Sequence, residues 1–282
     1  ISGKNKKYDC IIGVSGGIDS TYLAYFVKQH GLKPLAIHLD NGWNSDTAVK
    51  NIQTTLKHLE IDLETYVINW DEFKDMQRAF IQASVVDIEG LTDHAIIAVL
   101  YKYAAKNNIK YILLGENHST EGLLPPSWAY FKNDLVNIKD IHNKFGTVKR
   151  KTYPTLGFIK LQYYQRILGI KNISLLNYMH YNKNEVKKIL IDQLGWKEYS
   201  GKHHESIFTR FYQSYILPKK FNIDKRRSHL STLICSGQIT RDAALLEINQ
   251  PIIDEALLKS DKELVLKKLD YTEVEFEKIM NE

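Results

Sequence analysis

Residues 15–20, which read SGGIDS, are the segment of this chain best suited to chemistry. Two adjacent glycines allow a tight turn whose backbone N–H groups no Cβ atom shields. A helix that begins directly behind such a turn adds the positive end of its dipole. The segment therefore predicts a site for a phosphate or pyrophosphate group. The residues expected to contact that group are Ser15, Gly16, Gly17, Asp19 and Ser20.

A carboxylate in this turn needs its own explanation, because Asp19 would repel a phosphate unless a divalent cation lay between them. Mg²⁺ commonly bridges a carboxylate and phosphates, so Asp19 is the predicted metal ligand and a predicted catalytic residue. An alternative interpretation needs no ligand. In it, Asp19 and Ser20 only cap the following helix, and the glycines only close the turn.

Positive charge is concentrated in one stretch of the chain. From Lys197 to His229 there are eight Lys and Arg residues against three acidic ones, whereas the whole chain has a net charge of +5. The rest is therefore expected to be close to neutral. Such cations can stabilise charge on phosphates, although a solvated basic face is the usual role of a basic run. Lys225 has suitable chemistry, and the predicted catalytic residues are Lys202, Arg210, Arg226 and Arg227.

The elements around these residues alternate between short β-rich runs and helical patterns, which is typical of an open, doubly wound α/β fold with a parallel sheet. The predicted strands are Tyr8 to Ser15, Pro34 to Asp40, Leu63 to Ile68 and Tyr111 to Gly115. The predicted helices between them are Asp19 to His30, Asp46 to Leu59, Asp71 to Ala83 and Asp93 to Asn107.

Polar segments end two of these strands, and ligands of parallel sheets bind outside the carboxyl ends of strands. We expect the backbone of one segment to pair with an adenine edge, with Asp40 facing the ribose or the metal. The alternative is that each segment only caps the next element. The residues concerned are His38, Leu39, Asp40, Gly115, Glu116 and Asn117.

The alternation stops after Gly122, and the stretch through Pro125 and Trp128 shows no assignable pattern. Helical spacing returns later. The helical segments are Glu185 to Leu194, Ser206 to Tyr215, Leu230 to Ser236, Thr240 to Ile248 and Lys259 to Met280. We therefore predict a ligand-binding α/β domain over residues 1–122, extending to about 150 at most, and a mainly helical substrate or partner region over 123–282 packed on it.

Composition excludes several classes of protein. Hydrophobic residues make up 44% and charged residues 25%, as in globular domains and unlike disordered or fibrous chains. No apolar run approaches the roughly 20 residues that span a bilayer, and no signal peptide is evident, so we expect a cytoplasmic protein without membrane partners. Two cysteines, Cys10 and Cys235, cannot form a disulfide framework or a four-cysteine zinc site. Because the chain begins at Ile1, a natural N-terminal segment is expected to be missing.

The loop at 15–20 lacks the lysine of a Walker loop and the spacing of a dinucleotide fingerprint. It resembles the PP-loop of ATP pyrophosphatases, a superfamily that includes GMP, NAD and asparagine synthetases. The resemblance implies an adenine nucleotide alpha hydrolase-like fold that binds ATP by its β,γ-pyrophosphate and forms an adenylated intermediate. Many members carry Lys where this chain has Ile18, so the basic stretch is expected to supply that cation.

Further motifs resemble one family, the N-acetyl sugar amidotransferases of bacterial lipopolysaccharide O-antigen and nonulosonic-acid pathways. The likeness runs from Tyr8 to about Met280. It rests on the segments at 40–45, 92–94, 120–122, 201–203, 205–213, 224–227 and 234–238.

This second resemblance implies that a sugar acetamido group becomes an acetamidino group at the expense of ATP, with release of AMP and pyrophosphate. The sugar is expected to be nucleotide-linked or a nonulosonic acid. Ammonia would come from glutamine through a separate class I glutaminase subunit. Family members commonly carry a zinc-binding stretch ahead of the PP-loop, so zinc is expected only in an N-terminal segment absent here. The predicted substrate-binding residues are Asn41, Trp43, Asp93, His94, Glu121, His203 and Glu205.

Two other functions fit the same loop. A tRNA-modifying ligase of the lysidine type would use the same ATP chemistry. A sulfur-transferring enzyme needs catalytic cysteines near the site and is disfavoured, because Cys10 lies inside a predicted buried strand and Cys235 lies in a helical segment with no cysteine partner. A modest net charge also gives no strong argument for nucleic acid. The third possibility is a sensor that binds ATP without turnover.

Overall fold

A computed structural model describes residues 6–199 and 205–282 of the chain. Its centre is a five-stranded sheet with the order β3-β2-β1-β4-β5, in which all neighbouring strands are parallel. The strands are β1 (Cys10–Gly13), β2 (Pro34–Asp40), β3 (Asp62–Val67), β4 (Tyr111–Leu114) and β5 (Lys171–Ser174). The predicted doubly wound α/β fold is confirmed.

The first four helices cover both faces of the sheet. They are α1 (Ile18–Gln29), α2 (Asp46–His58), α3 (Trp70–Gln82) and α4 (Gly90–Lys106). Ser45 caps α2 by accepting a hydrogen bond from the backbone of Ala48, and Asn69 caps α3 in the same way through Glu72. These caps satisfy N–H groups that a helix cannot pair internally, and they fix where each helix begins.

Side chains alternate along β1, since successive strand residues point to opposite faces of the sheet. This alternation explains why a separate layer of helices packs on each face. Ile11 lies in a buried cluster with Phe73 and Leu91 of α3 and α4. Cys10 and Ile12 lie in the other cluster, which α1, α2 and a later helix complete. Each helix layer therefore buries its own side of one strand.

The middle of the chain contains elements that the sequence patterns did not predict. In chain order they include α5 (His118–Glu121), α6 (Leu135–Phe145), α7 (Phe158–Gln162) with a π-helical continuation (Tyr163–Ile167), and strand β5. The next helix, α8 (Lys183–Leu194), confirms the helix predicted over Glu185 to Leu194. The prediction that strands end after Gly122 was wrong. Strand β5 has four residues, of which only Ile173 is a large apolar one, so it gives no β-pattern to detect.

The C-terminal part is helical, as predicted. It comprises α9 (Ile207–Phe211), a π-helical turn (Tyr212–Ile216), α10 (Leu217–Phe221), α11 (Lys225–Cys235), α12 (Arg241–Ile248), α13 (Glu255–Lys268) and α14 (Glu273–Asn281). The stretch predicted as one helix near its end is two, because Asp270 has a positive φ of 52° and Thr272 begins a new helix with a capping box to Glu275.

Side chains of this C-terminal part enter the core of the α/β part. Phe208, Phe211 and Tyr212 belong to the same buried cluster as Phe73 and Leu91. Among the described residues, no helix is both long and apolar enough to pass through a lipid bilayer.

Candidate active site

A cavity of about 590 Å³ lies where the strand order reverses, between the carboxyl ends of β1 and β4. This is the position at which open α/β sheets bind ligands. The turn after β1 and the residues after β4 form one part of its wall, and α8, α11 and the 247–252 segment form another.

The structure brings together about half of the predicted site residues. Those that line the cavity are Ser15, Gly17, Asp19, Ser20, Gly115, Glu116, Glu121, Glu205, Arg210 and Arg226. Those that do not line it are Gly16, His38, Leu39, Asp40, Asn41, Trp43, Asp93, His94, Asn117 and Arg227. Lys202 and His203 lie outside the described residues.

Gly16 supports the turn from behind. Its φ is +81°, and a Cβ atom added there would lie 2.6 Å from the carbonyl oxygen of Ala48 in α2. Its own carbonyl oxygen accepts hydrogen bonds from the indole of Trp196 (2.9 Å) and the hydroxyl of Tyr199 (3.0 Å). A side chain at Gly16 would therefore strain the packing of the loop on α2.

The hydroxyl groups of the turn are held beside the cavity. The Oγ atoms of Ser15 and Ser20 lie 3.2 Å apart, and Gly17 N–H donates to Ser15 Oγ over 3.2 Å. Gly17 is the N-cap residue of α1, and no side chain caps this helix within the described part of the chain. The interpretation in which Asp19 or Ser20 caps α1 is therefore wrong. An uncapped helix end beside two hydroxyls suits an anionic ligand.

Asp19 is positioned by two residues from distant parts of the chain. Its Oδ1 accepts a hydrogen bond from Tyr181 Oη and one of 3.2 Å from Asn117 Nδ2. Burial and the Asp19 charge raise the pKa of Tyr181, so this phenol stays a donor. The Oδ1 atom of Asn117 accepts from the backbone of Thr120, and Asn117 thus orients Asp19 without itself lining the cavity.

Carboxylates form another part of the wall. Burial, followed by the charges of Glu121 and Asp93, raises the pKa of Glu116. The Oε1 atom of Glu205 lies against the turn, 2.9 Å from where a Cβ atom of Gly17 would be. Gly115 has a packing role, since a Cβ atom there would lie 3.1 Å from the backbone of Asp19 and Ser20. The cavity wall thus carries hydrogen-bond donors suited to an anion and carboxylates that can accept hydrogen bonds.

The segment after β2 has structural roles, and its predicted ligand contacts are not observed. His38 is buried, with Nδ1 bonded to the carbonyl of Val14 (2.8 Å) and Nε2 accepting from Asn44 Nδ2 (3.0 Å). Trp43 is 1% exposed, and its indole donates to Gln77 Oε1. It is therefore a core residue.

Leu39, Asp40 and Asn41, which lie between His38 and Trp43, also have structural roles. Leu39 belongs to the buried core. Asp40 Oδ1 accepts from Gly42 N–H, and Asn41 Oδ1 accepts from the N–H two residues later. Both polar side chains stabilise the turn that leads to α2.

His94 and Asp93, predicted to bind substrate, also have structural partners. His94 is fully buried, its Nδ1 donates to the carbonyl of Lys132, and its Nε2 accepts from the N–H of Leu156. Burial lowers the pKa of His94, which is consistent with this neutral form. Asp93 pairs with the Lys132 ammonium at 3.0 Å.

The predicted cations are mostly committed to protein groups. Arg210 forms a bidentate pair with buried Asp261 through bonds of 2.6 and 2.7 Å. Arg226 binds Asp224 and backbone carbonyls at the end of α12, including that of Gln250. Arg227 is exposed and lines a separate, smaller cavity. Within the described part of the chain, the side chains of Arg210 and Arg226 bind protein groups, whereas Arg227 makes hydrogen bonds through its backbone alone.

Several cavity residues were missed by the sequence analysis. They are Lys183, Lys187, Trp196, Tyr199 and His229, whereas Lys225, already named for its suitable chemistry, also lines the cavity. The i, i+4 spacing of Lys183 and Lys187 on α8, and of Lys225 and His229 on α11, places each pair on one helix face. That spacing was a usable signal, but it did not indicate which face meets the loop.

The side chains of the site decide which metal ion it could bind. Within residues 6–199 and 205–282, no group of three or more His, Cys, Asp or Glu side chains could hold a metal ion by itself. Mg²⁺ often needs only one or two carboxylates together with phosphate oxygens. Asp19 in a phosphate-sized turn fits that requirement, whereas nothing in the described residues fits zinc.

Comparison with known proteins gives two family matches. Residues 3–140 match the model of NAD synthase, and residues 205–282 match the model described as LPS biosynthesis protein WbpG-like, C-terminal domain. A tRNA(Ile)-lysidine synthase from Chlamydia pneumoniae is 42% identical over 43 residues, which is 15% of this chain and 13% of that protein.

Solved structures with similarity include the NH3-dependent NAD synthetase from Campylobacter jejuni. It is 17% identical with a TM-score of 0.35, and the alignment covers 94% of this chain and 87% of that one. The U34-tRNA thiolase NcsA from Methanococcus maripaludis is 16% identical with a TM-score of 0.42, covering 93% and 73%. The family matches support an ATP-using PP-loop module followed by a WbpG-like C-terminal part.

Proposed function

We propose that this protein is an ATP-dependent amidotransferase that converts the acetamido group of a sugar into an acetamidino group. The observation that carries the proposal is one shared cavity. The PP-loop-like turn at 15–20 and α11, which lies in the WbpG-like part, both line it. A nucleotide and a substrate selected by the C-terminal part would therefore meet in the same space.

The turn suits the pyrophosphate end of ATP. Ser15 and Ser20 offer hydroxyl donors, Gly17 leaves the start of α1 open, and Asp19 is held in place by Tyr181 and Asn117. When bound, Mg²⁺ would supply positive charge between Asp19 and the phosphates.

The reaction needs an activated amide, because the acetamido oxygen is a poor leaving group. In the first step the amide oxygen attacks the α-phosphorus, the bond from phosphorus to the bridging oxygen breaks, and pyrophosphate leaves. In the second step ammonia attacks the imidate carbon, and AMP leaves with the former acetamido oxygen. Loss of one proton then gives the amidinium cation, and loss of a second proton gives the neutral amidine. Glu116, Glu121 and Glu205 line the cavity, and we assign to this group of carboxylates the role of accepting protons or hydrogen bonds from sugar hydroxyls.

Ammonia would come from a separate class I glutaminase, since this chain offers no suitable nucleophile for glutamine. Cys10 is fully buried in β1, and burial raises its thiol pKa to about 12. Cys235 is exposed at the end of α11 and does not line the cavity. A glutaminase needs an activated thiolate with a nearby base.

The test is product formation by the purified chain. With ATP, Mg²⁺, ammonium and nucleotide-linked N-acetyl sugars, AMP and pyrophosphate should appear in equal amounts together with an acetamidino product visible by mass spectrometry. Mass loss of one oxygen and gain of NH identifies the exchange. No sugar-dependent release of pyrophosphate with any acetamido sugar would contradict the proposal.

A lysidine-type tRNA ligase is the second candidate. The 43-residue match to tRNA(Ile)-lysidine synthase favours it, and so does a second basic stretch, since residues 131–171 carry nine Lys and Arg against two Asp. The charge outside residues 197–229 sums to zero, as expected, but it is unevenly distributed along the chain. Tight tRNA binding that weakens steeply with salt, together with tRNA-dependent pyrophosphate release, would favour this candidate over the sugar enzyme.

A further inference from the structure

Among the described residues, Lys225 differs from the other cations of the cavity in having no hydrogen-bond or ion-pair partner. It is the first residue of α11 and lines the cavity. Over residues 6–199 and 205–282, its ammonium makes no hydrogen bond and no ion pair, and its one direct contact is with the ring of Tyr212, 5.8 Å from the ring centroid. A lysine in this situation is available to a ligand.

The surroundings of Lys225 disfavour its charged form. Burial lowers the pKa of Lys225, against the opposing charges of Asp87 and Glu89. Those carboxylates already have nearer donors. Asp87 accepts from Lys132 at 2.5 Å, and Glu89 accepts from Thr209 at 2.7 Å. A half-buried cation that makes no ion pair loses part of its hydration without full compensation, so a bound anion would stabilise it.

The competing cations are held by protein groups. Arg210 is paired with Asp261, Arg226 with Asp224, and Lys187 with Glu198. Lys183 and His229 also have interactions of their own within the chain. The turn at 15–20 contains no cation, although it lines the same cavity. A triphosphate bound there would carry several negative charges that the turn itself does not neutralise.

We infer that Lys225 binds a phosphate group in the cavity, a conclusion that rests on the proposed function. Two sources share that chemistry: ATP and the diphosphate of a nucleotide-linked sugar. Lys225 reaches the cavity from the same helix face as His229 and Leu233, at i, i+4 and i+8. Helix α11 thereby contributes a phosphate ligand from the WbpG-like part of the chain.

The experiment measures affinity of the full chain without turnover. Calorimetry with ATP, inorganic pyrophosphate, UDP-N-acetylglucosamine and free N-acetylglucosamine is carried out for wild type, Lys225→Met and Lys225→Arg. We expect Lys225→Met to lower the affinity for the phosphate ligand that Lys225 binds by about ten- to a hundredfold, as for the loss of a hydrogen bond to a charged group. Lys225→Arg should recover part of that affinity. Lys278→Met, which changes an exposed lysine on α14, is the charge-matched control.

The ligand that responds identifies the source. Weakened ATP and pyrophosphate binding assigns Lys225 to the nucleotide, and weakened UDP-N-acetylglucosamine binding alone assigns it to the sugar. A lower melting temperature with unchanged affinity for all phosphate ligands would show a purely structural role and overturn the inference. Wild type that binds and hydrolyses ATP while Lys225→Met binds every ligand equally would leave the proposed function intact. Wild type that binds no ATP would remove both.

A second measurement needs no variant. Lysine acetylation of the wild-type chain, followed by mass spectrometry, reports the reactivity of Lys225 with and without ligands. Protection of Lys225 but not Lys278 by pyrophosphate or UDP-N-acetylglucosamine supports the inference. Equal labelling of Lys225 in all conditions contradicts it.

Discussion

The indole N–H of Trp196 donates a 2.9 Å hydrogen bond to the carbonyl oxygen of Gly16, a residue 180 positions earlier in the chain. Tyr199 donates to the same oxygen. The glycine turn is therefore positioned by side chains of the segment that follows α8. The shape of the turn therefore depends on a contact between two segments that are far apart in the sequence.

This pair of donors gives the first prediction. Trp196→Phe and Tyr199→Phe each remove one donor and keep most of the ring, so each should weaken ATP binding several-fold, in line with about 1 kcal/mol per hydrogen bond. The double variant leaves the Gly16 carbonyl without either donor and should lose more than the sum. Calorimetric ATP affinities of all four proteins check this, and additive effects would show that the two donors act independently.

The second prediction concerns Asp19. Asp19→Asn keeps the size of the side chain but removes the charge needed to hold Mg²⁺, so AMP and pyrophosphate formation should fall by about a hundredfold or more. The melting temperature should change little. Tyr181→Phe removes only a donor to Asp19 and should give a smaller loss. Turnover of Asp19→Asn at the wild-type rate would contradict the PP-loop assignment.

Substitutions of the two glycines of the turn should have different effects on stability and on ATP affinity. Gly16→Ala places Cβ 2.6 Å from the Ala48 backbone at a φ of +81°, so we expect destabilisation of about 1–3 kcal/mol, measured by urea unfolding. Gly17→Ala instead meets the movable carboxylate of Glu205 at 2.9 Å. It should fold normally and lose ATP affinity. A stable Gly16→Ala protein would show that the loop can shift on α2.

Glu89 gives a pH-dependent prediction. Burial of its carboxyl raises its pKa from 4.5 to about 7, while Thr209 and the Lys225 and Lys132 charges act in the opposite direction. Between those two pH values the folded chain holds a proton that the unfolded chain has released, so the free energy of unfolding falls as pH rises.

Glu89→Gln removes this titration. The free energy of unfolding of wild type relative to Glu89→Gln should be highest below pH 4.5, decline up to about pH 7 and level off above it. Urea unfolding of both proteins at several pH values measures the difference. A difference that is flat between pH 4.5 and 7 would mean that Glu89 titrates normally in the fold.

The nitrogen source gives the last prediction. The isolated chain should form acetamidino sugar with ammonium and not with glutamine, because Cys10 is buried with a raised thiol pKa and Cys235 lies outside the cavity. Cys235→Ser should behave like wild type with ammonium. Product formation from glutamine alone that Cys235→Ser abolishes would show that the chain carries its own glutaminase.

Local patterns predicted the parts of the fold that local physics determines. The SGGIDS turn and the α3 and α4 helices follow from glycine and periodicity rules. Strand β5 could not be found in this way, because its four residues become a strand only by pairing with β4.

The candidate site was less predictable for a similar reason. Trp43 and His94 have polar groups suited to ligands, yet the fold buries both and satisfies them internally. Arg226 and Lys225 are adjacent in sequence, but only the arginine meets Asp224 and the end of α12. Which of two neighbouring cations is left for a ligand depends on packing partners from elsewhere in the chain.

Strand β5 also bears on how the chain acquires its shape. It joins the sheet after a long connection from β4, and the donor Trp196 comes later still. Contacts between distant residues slow folding, since the loop they close must be ordered first. During translation the glycine turn leaves the ribosome well before the indole that positions it, so ATP binding should begin only after Trp196 has also emerged.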